Sequence, residues 1–181
     1  MMPSLDTPAE RRILTMAMLA ALAIVLNRME ALLPLPSPWI KLGLANIMTL
    51  LALIYLGLKE AFIVTIVRVI GGSILAGTFM SPTFFLSAAG ALSATLVMAA
   101  FYVNGRSPFS LVGICVASAY AHTATTFLCV YAFLGPMPGF LKLIPLFSFI
   151  ALAGGILTGL IANGLSQKLD EEGVALGTDG N

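Results

Sequence analysis

Charged side chains are scarce in this chain of 181 residues. They make up 9% of the sequence, whereas soluble domains carry about 25%. Hydrophobic residues reach 59%, and the mean hydropathy is +1.02. These values exclude a soluble globular domain and indicate an integral membrane protein. The net charge is +1, so the chain also lacks the basic surface that binds nucleic acid.

Residues that carry out catalysis or bind metals are equally few. Aspartate occurs only at positions 6, 170 and 179, so no paired aspartates could hold the magnesium that prenyl diphosphate chemistry needs. His122 is the only histidine, and it has no metal-ligand spacing with Cys115 or Cys129. The sequence contains neither a phosphate-binding loop nor a nucleophile elbow. We therefore expect no catalytic residue, no metal, no cofactor and no enzymatic activity from this chain alone.

The apolar residues form six segments separated by proline and glycine. They predict an all-α membrane protein with a six-helix transmembrane bundle at residues 12–165. A cytoplasmic segment, 1–11, precedes it, and a polar acidic tail, 166–181, which we expect to be disordered, follows it. The predicted spans are 12–33, 43–57, 60–77, 82–103, 109–134 and 143–165.

The distribution of lysine and arginine predicts the orientation. If both termini are cytoplasmic, five cations lie at the inner ends of the spans and three at the outer ends, in agreement with the positive-inside rule. We therefore expect a multi-pass protein of the plasma or inner membrane. The inner cations are Arg11, Arg12, Lys59, Arg106 and Lys168, and the outer ones are Arg28, Lys41 and Lys142.

Arg68 is the most informative residue, because it lies in the middle of the third apolar segment. A charge at the centre of a bilayer costs at least about 2.5 kcal/mol, and guanidinium cannot lose its proton. Arg68 therefore needs a counter-charge, a polar cavity or an anionic ligand. Glu30 is the one acid expected near it, so two hypotheses remain: a structural pair with Glu30, or an anchor for a ligand.

Other polar residues are candidates for the same ligand site. His122 is a neutral, hydrogen-bonded core histidine or a ligand contact. Asn46 needs hydrogen-bond partners inside the bundle. Lys41 and Trp39 are interfacial anchors or line the site with Glu30.

Small residues recur four positions apart, a spacing that lets helices approach closely in lipid. Gly155 and Gly159 form such a pair in the last span, and Ala17 and Ala21 form one in the first. Packing inside the bundle explains these pairs. Alternatively, the Ala17/Ala21 stripe docks a partner membrane protein.

Several segments resemble the family called heptaprenyl diphosphate synthase component I, or Gx transporter family. The resemblance covers about residues 12–165. It is carried by Glu30–Pro34, by the run Pro38–Asn46 with Lys-Leu-Gly-Leu-Ala-Asn, and by Arg68 with Gly71-Gly72. The stretch Ser81–Ser93 and the sequence Ala121-His122-Thr123 complete it.

This family is similar to substrate-binding S components of energy-coupling-factor (ECF) transporters. The resemblance implies six helices, a ligand pocket near the outer face, and an Ala-xxx-Ala stripe that docks the coupling subunit, with partner ATPases supplying energy. Its first implication is therefore uptake of a small molecule, anionic or isoprenoid-related, bound by Arg68, His122, Asn46, Glu30, Lys41 and Trp39. The alternatives are a non-catalytic membrane subunit of isoprenoid or quinone metabolism or of electron transfer, and a purely structural subunit.

Overall fold

The computed structural model describes residues 7–32, 42–103, 109–135, 139 and 142–172. Within them every regular secondary-structure element is a helix, and six helices of 12 to 28 residues form the bundle, as the sequence predicted. They are α1 (Pro8–Ala31), α2 (Leu44–Tyr55), α3 (Leu58–Leu75), α4 (Pro82–Val103), α5 (Leu111–Leu134) and α6 (Ile144–Glu171).

Local sequence signals set several of these boundaries. The Thr7 side chain accepts a hydrogen bond from the amide of Glu10 and the Glu10 carboxylate accepts one from the amide of Thr7, which closes a capping box before Pro8. The Ser110 hydroxyl caps α5 by accepting a hydrogen bond from the amide of Gly113. Gly57, with φ of 107°, makes the tight turn between α2 and α3.

The short helix α2 lies at the centre of the bundle. It contacts α1, α3, α4 and α6, and nine of its twelve residues are buried. A helix surrounded on all sides needs an apolar surface all round, which explains the run Ile47–Leu53 with its single hydroxyl, Thr49. The central position of α2 brings Asn46, one turn from its start, into the interior.

The outward surface is that of a membrane protein. Four helices (α1, α4, α5 and α6) are long and apolar enough to cross a bilayer, while α2 is shorter and α3 carries Lys59, Glu60 and Arg68. Large side chains such as Leu128, Phe133 and Phe149 are about two-thirds exposed. A surface of that kind is stable in lipid and would aggregate in water.

The last helix is longer than the sequence predicted. It continues to Glu171, so residues 166–171, which we expected in a disordered tail, are helical. The reason is a set of hydrogen bonds: the Tyr55 hydroxyl at the end of α2 donates to Asp170 at 2.8 Å and lies 3.0 Å from the Ser166 hydroxyl. Residues 173–181 lie outside the described part.

A second polar contact ties the same end of the bundle together. Arg12 on α1 forms an ion pair of 2.7 Å with Glu60 on α3, and it also donates to the carbonyl of Leu56 at 2.5 Å. The start of α1, the α2–α3 turn and the end of α6 therefore share one face. This face carries four of the five cations predicted to be cytoplasmic, Arg11, Arg12, Lys59 and Lys168, while Arg106 lies outside the described residues.

Three buried threonines connect the central helices. The Thr65 hydroxyl on α3 lies 2.9 Å from that of Thr95 on α4 and 3.4 Å from that of Thr49 on α2. All three side chains are at most 1% exposed. Hydrogen bonds between helices typically contribute about 0.6 kcal/mol in a membrane, with a maximum near 1.7.

We expect Thr65→Val to lower the free energy of unfolding by about 1 kcal/mol, because valine keeps the shape but removes the central hydroxyl. Unfolding in mixed micelles with increasing SDS measures the change. Thr15→Val is the matched control, since the Thr15 hydroxyl bonds the carbonyl four residues back, as Thr65 does, but no other helix. Equal losses for both variants would contradict a role for the link between helices.

Candidate ligand-binding site

A polar cavity lies inside the bundle towards the end where α1 stops and α4 begins. Its larger, outer chamber of about 210 Å³ is bordered by α1, α3, α4 and α5. A smaller, inner chamber of about 20 Å³ lies beside it, with α2 forming part of its wall. The two chambers share the side chains of Asn27, Val69, Ser87 and His122.

Arg68 lies in the wall of the inner chamber. Its side chain is 6% exposed, and its terminal nitrogen Nη2 donates a 2.6 Å hydrogen bond to Oδ1 of the Asn46 side chain on α2. The bond of Arg68 in the described part of the chain therefore goes to an amide, which carries no compensating charge. The opposite charge comes from Glu30, whose carboxylate is near enough to attract Arg68 electrostatically.

Glu30 also fixes the start of α2. Its carboxylate accepts a 2.6 Å hydrogen bond from the amide of Gly43, the residue that precedes α2 and has φ of 86°. Only glycine adopts that conformation without strain, and a helix N-terminus favours a nearby negative charge. Glu30, Gly43, Asn46 and Arg68 thus form one connected arrangement, in which Arg68 donates to Asn46 and is attracted by the charge of Glu30.

Two buried polar atoms at the cavity have no hydrogen-bond partner, Nε of Arg68 and Oγ1 of Thr126. Arg68 borders the inner chamber and Thr126 the outer one. An unsatisfied polar atom in a protein interior costs about 1–3 kcal/mol. Both residues border the cavity, and the unsatisfied polar atoms beside it make the cavity a candidate binding site.

His122 lies between the chambers and borders both. Gly90 on α4 gives it room, because a Cβ atom at position 90 would lie 2.8 Å from Nε2 of His122 and 2.7 Å from Oγ1 of Thr126. Gly72 gives room to Asn27 in the same way, because a Cβ atom at position 72 would lie 2.5 Å from Nδ2 of Asn27. The glycines therefore let polar side chains lie between closely packed helices.

The structure brings Arg68, Asn46, Glu30 and His122 to one cavity. Trp39 and Lys41 lie outside the described residues. Ala17 and Ala21 are exposed on α1, away from the cavity.

Sequence reasoning missed several members of the wall. Arg28 was expected only as a cation at the outer end of the first span. Asn27 was not singled out, although it lies three residues before Glu30 and so one helical turn from it, which was the available signal. The hydroxyls of α3 and α4 gave no such signal, because single serines and threonines are common in membrane helices. The missed residues are Asn27, Arg28, Ser73, Thr78, Thr83 and Ser87.

The described residues contain no group of three or more histidine, cysteine, aspartate or glutamate side chains that could hold a metal ion. The arrangement can instead bind a molecule through hydrogen bonds: guanidinium and amide donors, hydroxyls and an imidazole surround the cavity, and Phe84 supplies an apolar wall.

Comparisons with known proteins agree on the fold and the family. The bundle is similar to a solved S component of a bacterial ECF transporter, with a TM-score of 0.71 and 23% sequence identity over 90% of this chain and 97% of that chain. At that identity the likeness is one of fold. None of the curated proteins matches the chain. The family profile of heptaprenyl diphosphate synthase component I matches residues 19–165, and the chain therefore belongs to that family.

Proposed function

We propose that this protein is a membrane transport subunit that binds a small molecule, of the kind that S components form in ECF transporters. The observation that carries the proposal is Arg68, a buried cation at a polar cavity with an unpaired Nε. A purely structural arginine would be expected to use all its donors within the protein. The likeness of the fold to an S component supports the same conclusion.

The position of the cavity suggests how the ligand enters. The cavity lies towards the end of the bundle opposite the Arg12–Glu60 pair, and the positive-inside rule puts that pair in the cytoplasm. With both termini inside a plasma or inner membrane, the ligand enters from the outside. Arg68 and Asn46 anchor it, and Glu30 and His122 line the site. Lys41 and Trp39, which lie outside the described residues, are proposed as further ligand contacts from the sequence alone.

The energy that drives release of the bound ligand is proposed to come from partner proteins. The sequence contains no phosphate-binding loop, so we propose that partner ATPases and a membrane coupling subunit complete the transporter. The same lack of nucleophile, base and paired aspartates argues for a non-enzymatic subunit, whatever the word synthase in the family name implies.

The direct test of binding is equilibrium dialysis of the purified protein against the small-molecule fraction of a cell extract, with mass spectrometry of the retained compounds. We expect at least one compound to be enriched over a dialysis with denatured protein. If no compound is enriched while the protein remains folded, the proposed function is wrong.

The docking surface for a coupling subunit is proposed to be the exposed Ala17/Ala21 stripe of α1. Exposed large side chains flank it, with Leu14, Met18 and Val25 about half accessible. A strip of small residues inside an apolar surface lets another helix come close.

We expect Ala17→Trp to abolish co-purification with coupling subunits, because the indole fills the groove, while ligand binding and stability stay unchanged. The control is Ala153→Trp, which places the same bulk on an exposed position of α6. Co-expression followed by affinity purification measures the association. Equal recovery of the partner with both variants would remove this stripe from the interface.

A second function, in isoprenoid or quinone metabolism or electron transfer, is favoured by one feature besides the family name. An apolar cleft of about 150 Å³ between α3 and α4 shares Val69 and Phe84 with the outer chamber. The exposed side chains of Ile66, Ile70 and Leu92 also line it, so it faces the outside of the bundle. A hydrocarbon chain fits such a surface. Polyprenyl lipid or quinone co-purifying with the protein would support this function, and unchanged quinone content in a deletion strain would argue against it.

A further inference from the structure

The charges around the cavity are unevenly distributed between its two chambers. Arg68 in the inner chamber has Glu30 nearby. Arg28 borders the outer chamber, where no described lining residue carries a carboxylate, and it makes neither an ion pair nor a side-chain hydrogen bond in the described structure. Among the described residues, Arg28 is therefore the cation at this site that has no carboxylate partner.

Elsewhere in the described part of the chain, no acid lies at this end of the bundle. The other described acids (Glu10, Glu60, Asp170, Glu171 and Glu172) belong to the end where α1 begins and α6 stops. The undescribed stretch 33–41 contains no aspartate or glutamate in its sequence and adds a cation, Lys41. A half-buried arginine without a counter-charge attracts anions from solution.

The volumes of the two chambers determine which part of a ligand each arginine can contact. The inner chamber, at about 20 Å³, has room for one water-sized group. A carboxylate or phosphate is too large to enter it, but a single oxygen atom fits there beside the Arg68 side chain. The outer chamber, at about 210 Å³, exceeds the cavity of about 150 Å³ that holds benzene in another protein.

We infer that the ligand is a small organic anion whose acidic group, carboxylate or phosphate, is held by Arg28 in the outer chamber, while a neutral oxygen of the same molecule accepts from Arg68. This inference rests on the proposed function and deepens it. In this proposal Arg28 binds the charged group of the ligand, whereas the sequence had indicated Arg68 for that role. The neutral oxygen belongs to a carbonyl or hydroxyl group.

The test uses pairs of compounds that differ in charge but hardly in shape. Carboxylic acids are compared with their primary amides, and phosphate monoesters with their parent alcohols, by thermal shift and titration calorimetry on protein in nanodiscs. We expect acids or phosphate monoesters to bind and their neutral counterparts to bind at least about tenfold more weakly. Whether the carboxylic acids or the phosphate monoesters bind identifies the acidic group of the ligand as a carboxylate or a phosphate.

Three variants assign the effect to Arg28. Arg28→Gln should remove the preference for the acid over its neutral counterpart, and Arg28→Lys should keep a part of that preference. Lys59→Gln is the control, because it removes an exposed cation at the start of α3, far from the cavity, and should leave the preference unchanged. Melting of each variant verifies the fold. Equal binding of charged and neutral partners, unchanged preference in Arg28→Gln, or no binding by any charged member would overturn the inference. A neutral molecule bound only when Arg68 is intact would overturn it and leave the proposed function standing.

Discussion

Replacing Arg68 with methionine is expected to weaken ligand binding by at least about 30-fold, or about 2 kcal/mol, the usual contribution of a hydrogen bond from a charged donor. Methionine fills much of the same space, so the helices keep their packing. Glu30 keeps its bond to the Gly43 amide, which limits the cost of losing its opposite charge. Titration calorimetry with the compound retained in dialysis measures the effect.

Two further variants separate the charge of Arg68 from its hydrogen bonds. Arg68→Lys keeps the charge but has no Nε for the inner chamber, so we expect affinity between that of the methionine variant and the native protein. Lys59→Met removes a cation from the same helix outside the cavity and should bind normally. If Arg68→Met binds as tightly as the native protein, Arg68 is structural and the ligand site lies elsewhere.

Adding a methyl group at Gly155 is expected to lower the free energy of unfolding by about 1–3 kcal/mol, the usual cost of overpacking. A Cβ atom there would lie 2.6 Å from the Cα of Val116 on α5, and a backbone atom cannot rotate away. Helices α5 and α6 would have to separate. Because α5 carries His122 and Thr126, the same change should also weaken ligand binding.

The control for Gly155→Ala lies on the same helix. An added Cβ at Gly164 would meet no atom within 4 Å, so Gly164→Ala should leave stability unchanged or raise it by up to about 1 kcal/mol through better helix propensity. SDS-induced unfolding of both variants gives the comparison. Similar stabilities for the two variants would show that the close approach of α5 and α6 is not needed.

The helices were predictable because a bilayer imposes a length and a polarity that sequence displays directly. The ends of α4 agree with the prediction at both residues, and those of α2, α3 and α5 differ by two residues or fewer. The start of α1 and the end of α6 differ by more, since charged and polar residues extend these helices beyond the apolar spans. The packing role predicted for Gly155 and Gly159 is confirmed by their approach to Val116 and Val112.

The site was predictable only in part. A buried cation such as Arg68 stands out in an apolar segment, and His122 and Asn46 stand out for the same reason. The sequence does not say which helices touch, and therefore could not reveal that α2 is central or that Asn46, rather than Glu30, receives the hydrogen bond of Arg68. Arg28 was hidden because a cation near the end of a span resembles an interfacial anchor.

The central claim is that the polar cavity binds one small molecule through Arg68. Native mass spectrometry of the protein released from nanodiscs, after incubation with the small-molecule fraction of a cell extract, tests it most directly. We expect a 1:1 complex with a small molecule for the native protein and for Lys59→Met, and a strongly reduced fraction of it for Arg68→Met, in keeping with an affinity at least about 30-fold lower. A folded native protein with no bound molecule, or identical spectra for the native and Arg68→Met proteins, would contradict it.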